Sequence, residues 1–393
     1  MTQLDVVAER VSQAESTTPS PAADLLDALQ RLAPLMRERR DMFDQLRRLP
    51  DDVFEALADA GLFRLWLPRA IGGPELTPFE FMDIVEAASA LDGSVGWLVG
   101  NGGGMSRIGG YVGKAVARDW FSDPRTFVAA ATGAVGRATR VADGYRITGR
   151  WPFGSGAHHA SLFMVLAAET SDAPRLCCYV RRKDVAIIDN WHVSGLRGTG
   201  SCDFELQDVF VPAAHAHPFL DLTPTDPAIV YRMPPVSVFA STIASVPIGI
   251  ARGAISAFVA LASRKNAGSA AVLRDREPVQ ATVGRAVAML RAARGFLLDA
   301  MTELMAATDA GGERLIEARA MFRMAGTYAA ESSMSIVDML ATSAGAVSIF
   351  ETCALERAAR DLRAAARHIA VGPNNYVVGG RVALALDPGT PRF

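Results

Sequence analysis

The chain is poor in the residues that build metal centres. Its four cysteines, Cys177, Cys178, Cys202 and Cys353, form no C-x-x-C pair, and they combine with the six histidines into no zinc-ligand spacing. They read as reduced, buried thiols that pack as small hydrophobes, and no resident metal is expected. Excess charge of either sign is also missing. Forty basic against 42 acidic side chains leave a formal net charge of -2, so no global field draws the chain to nucleic acid or to an anionic membrane. No G-x-G-x-x-G follows a strand, which excludes a Rossmann nicotinamide site, so NAD(P)H has to act through another protein. Asp5, Glu9 and Arg10 interrupt the N-terminus before a secretory apolar core builds up, and the cytoplasm is the expected compartment. One long apolar run, from Pro235 to Ala262, carries Arg252 as its only charge. Pro247, Gly249, Gly253 and several hydroxyl residues mark it as a buried bundle helix rather than a membrane span.

What is present falls into an ordered series. Residues 1–20 end in Glu-Ser-Thr-Thr-Pro-Ser-Pro and are expected to form a mobile tail. Helical spacing of Leu25, Leu26, Leu29, Leu32 and Leu35, a helix opening at Pro50-Asp51-Asp52 and closing at Gly61, and a third from Pro78 to Ala90 predict an α-helical domain over 21–122. Short β-rich runs around Tyr145, Leu162–Leu166, Leu176–Val180 and Phe204–Val211 predict a central antiparallel β domain over 123–232. Long Ala-rich helical segments near 236–264, 279–308, 312–345 and 350–370 predict a C-terminal four-helix bundle over 233–393. The class is α+β multidomain.

That order resembles the acyl-CoA dehydrogenase superfamily, and local residues match it in sequence. Arg48-Leu49-Pro50, Ala60-Gly61-Leu62-Phe63-Arg64 and Leu67-Pro68-x-x-x-Gly72-Gly73 are similar to its opening signature. Tyr145-x-Ile147-x-Gly149-x-Trp151, Gly195-x-x-Gly198-Thr199-Gly200-Ser201, Val209-x-Val211-Pro212 and Arg360-Asp361 resemble its later ones. The likeness runs from about residue 30 to the end, and it implies a flavin site between the β domain and the helices.

A dehydrogenase of this fold needs a carboxylate base to take a weakly acidic proton from an acyl thioester. Both positions usual in the family are empty: no Asp or Glu occurs between Asp361 and Asp387, or between Asp226 and Asp275. Where the base is expected stands His368. That histidine resembles one found in the oxygenase components of two-component flavin monooxygenases. So does Trp151-x-Phe153-Gly154-Ser155-Gly156-Ala157-His158-His159, and so does the version Trp191-x-x-x-Gly195-Leu196-Arg197-Gly198-Thr199-Gly200-Ser201. This branch takes reduced FMN or FAD from an NAD(P)H:flavin reductase, adds O2 as a C4a-hydroperoxyflavin and transfers one oxygen atom.

Such an adduct survives only if water is excluded and flavin N5 keeps its proton, which calls for a small hydroxyl at N5 under aromatic cover. Ser155 is the candidate, with Phe153 beside the ring and Thr199, Ser201 and the electrostatic clamp residue Arg264 as further cofactor contacts. His368 and His159 are the candidates for proton transfer, since imidazole titrates near neutrality. Trp97, Met105, His159 and His368 are the candidates for the substrate pocket. Other readings stay open: Ser155, between two glycines, also suits a plain turn, His368 also suits a helix C-terminus, and Trp97 also suits a core position. Met105 stands where phenol hydroxylases of this type resemble one another in carrying a pocket histidine, so heteroatom oxygenation remains open beside aromatic hydroxylation. The expected product is a soluble homo-oligomer, a tetramer by resemblance, acting on an apolar small molecule. The alternatives are an acyl-CoA dehydrogenase-type FAD enzyme with an atypical base, and a non-catalytic binding relative.

Overall fold

A computed structural model describes residues 20–220, 222–264, 272–390 and 393. Apart from Ser20, the expected N-terminal tail lies outside the described residues. The first third is helical: α1 (Pro21–Leu46), α2 (Asp51–Asp59), α3 (Pro78–Leu91), α4 (Gly93–Met105) and α5 (Lys114–Trp120). Their starts follow local chemistry. The Ser20 hydroxyl accepts the Ala22 N–H ahead of Pro21, and Thr77 and Glu80 form a reciprocal capping box that opens α3. The buried Asp92 ends α3 and caps the Ser94 N–H of α4.

Seven strands follow: β1 (Val128–Val141), β2 (Gly144–Gly154), β3 (Leu162–Ala168), β4 (Leu176–Arg181), β5 (Ala186–Ile188), β6 (Cys202–Pro212) and β7 (Ala216–Pro218). They form one sheet in the order β5-β6-β2-β1-β3-β4-β7. The expectation of a wholly antiparallel domain is corrected here, because β1 and β3 pair in parallel, Val128 opposite Leu162. The reason lies in the connection. β1 and β2 form a tight hairpin at Val141–Gly144, and β6 occupies the far edge of β2. The chain leaving β2 therefore crosses back through residues 155–161 and enters β3 beside the start of β1. That crossing carries Ser155, His158 and His159.

The last third contains α6 (Ile229–Arg232), α7 (Pro235–Ala262), α8 (Glu277–Thr308), α9 (Gly312–Ala344), α10 (Ala354–Ala365) and α11 (Asn374–Ala383). The fourth bundle segment is shorter than its expected span, since α10 ends at Ala365 and a 3-10 turn follows from Ile369. By length and composition α7 is apolar enough to cross a bilayer, as is Gly312–Ile349, with 67% and 28% of their most apolar windows buried. In the fold α7 is the central rod, packed against α3, α4, α9 and α10. Its bare apolar surface is thus the interior of the protein.

The three parts meet at the loop 195–201. Gly195 lies so close to α10 that a Cβ there would fall 2.0 Å from the Arg360 carbonyl oxygen. On the other side of the loop Gly200 has φ +53, with the backbone of Arg47 next to it. Gly195→Ala is therefore expected to push the loop off α10 and cost ~2 kcal/mol or more. Gly284→Ala, on an open face of α8, should instead gain up to ~1 kcal/mol. Urea unfolding of the two variants checks the contrast, and equal stabilities would contradict it.

Candidate active site

Four segments supply the candidate side chains: α4, the crossing after β2, the loop before β6, and the turn after α10 that carries His368. Trp97 lies on α4 and is buried. Its indole Nε1–H donates to Ser155 Oγ at 2.9 Å. Ser155 Oγ is 2.9 Å from Ser201 Oγ, which is 2.7 Å from Thr199 Oγ1, and Thr199 Oγ1 donates to the Leu196 carbonyl at 2.8 Å. Ser155, Thr199 and Ser201 are all buried. The other face of the site is His368, whose ring meets the Trp97 ring edge-on at 5.8 Å between centroids. Trp97 thus joins two of the three candidate catalytic residues, Ser155 through its N–H and His368 through its ring.

The state of His368 follows from its partners. Nδ1 accepts the Ala370 N–H at 3.2 Å, so the proton of the neutral ring is on Nε2. Burial holds its pKa down to about 4, which keeps the imidazole neutral at physiological pH. The site therefore presents a neutral N–H donor at Nε2. The recorded partners of Trp97, Ser155 and His368 include no carboxylate.

The loop is held by Leu196, a non-glycine residue at φ 53. Its N–H donates to Asp361 Oδ1 at 2.7 Å, and its carbonyl takes bonds from the Thr199 hydroxyl and, at 3.2 Å, from Trp191 Nε1. Asp361 is buried, and burial together with nearby Asp92 pushes its pKa above the usual carboxylate range. Sequence reading took Arg360-Asp361 as a family motif but missed the role of Leu196. The signal available was the pair of glycines, Gly195 and Gly198, that lets this one leucine be clasped against α10.

Phe153 stands apart in a telling way. It sits at φ 62 in the irregular register between Trp151 and Gly154, is 66% exposed, and meets Trp191 edge-on at 6.3 Å. A left-handed aromatic residue turned outward is held there by its surroundings and not by core packing, and its carbonyl accepts the Ser155 N–H at 2.9 Å. Phe153 and Trp191 thus form an aromatic pair next in sequence to the turn that carries Ser155.

The remaining candidates are placed elsewhere. The His159 ring stacks on Phe54 at 4.2 Å, its Nε2–H donates to the Leu49 carbonyl, and Nδ1 is 3.7 Å from Asp51. Its recorded contacts lie with the N-terminal helices and not with Trp97 or His368, and burial holds it down to about 4. Met105, two turns along α4 from Trp97, belongs to a separate apolar cluster with Leu67, Ile108, Met164 and Phe121. Arg264 is exposed at the end of α7. His217 accepts the Tyr179 hydroxyl proton at Nε2 and donates from Nδ1 to the Pro218 carbonyl. The ligand atoms of His158, Asp189 and Cys202 lie within 4.8 Å of one another, but Asp189 is already bound by both Nη atoms of Arg47 at 2.6 Å.

Comparison with known proteins places the chain. Residues 28–121 match the acyl-CoA dehydrogenase N-terminal domain and residues 241–373 its C-terminal domain. The protein belongs to the acyl-CoA dehydrogenase superfamily. Within it the chain belongs to the branch of flavin-dependent monooxygenase oxygenase subunits: it is 30% identical to the oxygenase subunit HsaA of Mycobacterium tuberculosis, over 94% of this chain and 97% of that protein. Among solved structures, 3-HSA hydroxylase from Rhodococcus sp. RHA1 superposes with TM-score 0.87 at 28% identity, covering 94% of this chain and 99% of the other. XiaF from Streptomyces sp., in complex with FADH2 and glycerol, does so with TM-score 0.85 at 26% identity, covering 94% and 97%.

The two depressed histidines set a pH dependence of stability. His159 and His368 titrate near 4 in the fold and near the ordinary 6.5 when unfolded, so between those values the unfolded chain binds more protons. Stability should fall as pH drops from 6.5 towards 4 and be insensitive to these groups above about 7. Each contributes roughly 3 kcal/mol by the end of that window, at ~1.4 kcal/mol per pKa unit. Thermal unfolding as a function of pH measures it, and His159→Phe should flatten the slope. A midpoint that rises on acidification would contradict the assignment.

Proposed function

We propose that this chain is the oxygenase component of a two-component flavin monooxygenase. It takes reduced FMN or FAD from a separate NAD(P)H:flavin reductase and uses O2 to oxygenate an apolar small molecule, aromatic or bearing an oxidisable heteroatom. The observation that carries the reading is the Ser155–Trp97–His368 grouping: a hydroxyl and a neutral imidazole, joined by one indole, where the parent chemistry needs a carboxylate. The relatives named as oxygenase subunits and hydroxylases support it.

The bound reduced flavin supplies the electrons that activate O2. The chain's residues do the rest. Phe153 with Trp191 covers the ring, and Ser155 holds the N5 proton in place. Trp97 keeps Ser155 and His368 in register and closes the site to water. His368 presents Nε2–H to the oxygen being transferred or to the substrate, and its cap on Ala370 keeps that proton at Nε2. The chain works as a homo-oligomer, a tetramer by the likeness that defines the branch. Exposed apolar side chains in the C-terminal part, among them Ile349, Phe350, Val377 and Leu384, support that assembly.

Anaerobic mixing with reduced FMN or FAD followed by O2 should give a long-lived transient distinct from oxidised flavin. Direct return to oxidised flavin, or bleaching of tightly held FAD by an acyl-CoA, would favour dehydrogenase chemistry instead. Ser155→Ala is expected to raise the hydrogen peroxide yield, and His368→Ala to lower product formation by about 10²-fold, the low end for a lost proton-transfer group. Unchanged coupling in both variants would remove these residues from the mechanism.

A further inference from the structure

The three buried hydroxyls form a chain whose polarity is fixed from one end. Thr199 Oγ1 lies 2.8 Å from the Leu196 carbonyl oxygen, and two oxygens approach that closely only with a proton between them. A carbonyl has none to give, so Thr199 donates to Leu196. Having spent its proton, Thr199 meets Ser201 at 2.7 Å as an acceptor, and Ser201 donates to it. Ser201 in turn meets Ser155 at 2.9 Å as an acceptor, so the Ser155 proton points inward. Trp97 Nε1–H fills one Ser155 lone pair, and no described group fills the other.

We infer that Thr199 and Ser201 are positioning residues that make Ser155 an obligatory acceptor, so that the site selects the redox state of its cofactor. Reduced flavin carries a hydrogen on N5 and donates, whereas oxidised flavin presents a bare N5 lone pair and needs a donor. A Ser155 whose proton is committed inward satisfies the first and repels the second. Leu196, clasped by Asp361 and held at φ 53, is the fixed end that sets the direction for the whole chain. The inference rests on the proposed placement of flavin N5 at Ser155.

The test is the ratio of dissociation constants for oxidised and reduced FMN or FAD, from anaerobic titrations that need no turnover. The wild type should bind the reduced form more tightly. Thr199→Val removes the fixed end and Ser201→Ala removes the inward acceptor, so either frees the Ser155 proton to turn outward. Each should lower the oxidised-to-reduced ratio by about ten-fold, the worth of one hydrogen bond. Thr199→Ser keeps the chain and should keep the ratio, which separates a directional role from packing and serves if Thr199→Val fails to fold. A ratio unmoved by Thr199→Val and Ser201→Ala but lowered by Ser155→Ala would overturn the inference and leave the N5 placement standing. A ratio unmoved by Ser155→Ala as well would overturn the placement itself.

Discussion

The bond from the Leu196 N–H to Asp361 is the constraint on which the site depends. It ties a loop of the β domain to a helix of the C-terminal bundle, 165 residues further along the chain. It is buried, so its loss would strand a backbone donor and a carboxyl group without water to replace either partner. Asp361 is also the start of a wider charge network. Arg357 pairs with Asp44 at 3.0 Å and reaches Asp92 at 3.6 Å, and Arg360 pairs with Asp44. The N-terminal helices, the sheet and the bundle are thereby locked around the turn at 195–201. Everything chemically useful hangs from that turn: the carbonyl that ends the hydroxyl chain, the support for Trp191, and the approach of the loop to α10.

The same arrangement explains how one fold serves two chemistries. Acyl-CoA dehydrogenases place a carboxylate at the flavin, and a carboxylate there would compete with an oxygen adduct for protons. In this chain the carboxyl of the Arg-Asp pair is taken up by the Leu196 N–H. The groups that remain are neutral: an indole N–H, three hydroxyls and an imidazole whose burial keeps it uncharged. That grouping is neutral and hydrogen-bonded throughout.

Much of the architecture was legible in the sequence because it rests on local signals. Helix caps, the Pro and Gly punctuation and the switch from helical to strand spacing gave the three parts in order. Ser155, Thr199 and Ser201 were legible as a set because small hydroxyl residues beside glycines are placed by backbone geometry. The parallel pairing of β1 with β3 was not, since it is decided by β6 occupying the edge of β2, a contact between distant strands. His159 shows the same limit. Adjacent to His158 and near Ser155 in sequence, it turns to the N-terminal helices because Phe54 and Leu49 wait there. The shortened fourth bundle segment also escaped notice: a run of alanines up to Ala366 reads as continuing helix, and only the His368 cap on Ala370 shows where the chain turns.

The pairing of Asp44 with Arg357 and Arg360 also bears on how the protein comes into being. The partners are more than 300 residues apart, with the loop they enclose in between. Contacts of that span form late, because the intervening chain must be ordered before they repay its closure. A nascent chain emerging from the ribosome can therefore complete its helices and most of its sheet while the anchor of Leu196 is still unmade. The turn that carries the Thr199 and Ser201 hydroxyls is thus fixed only once α10, with Asp361, has joined the rest of the fold.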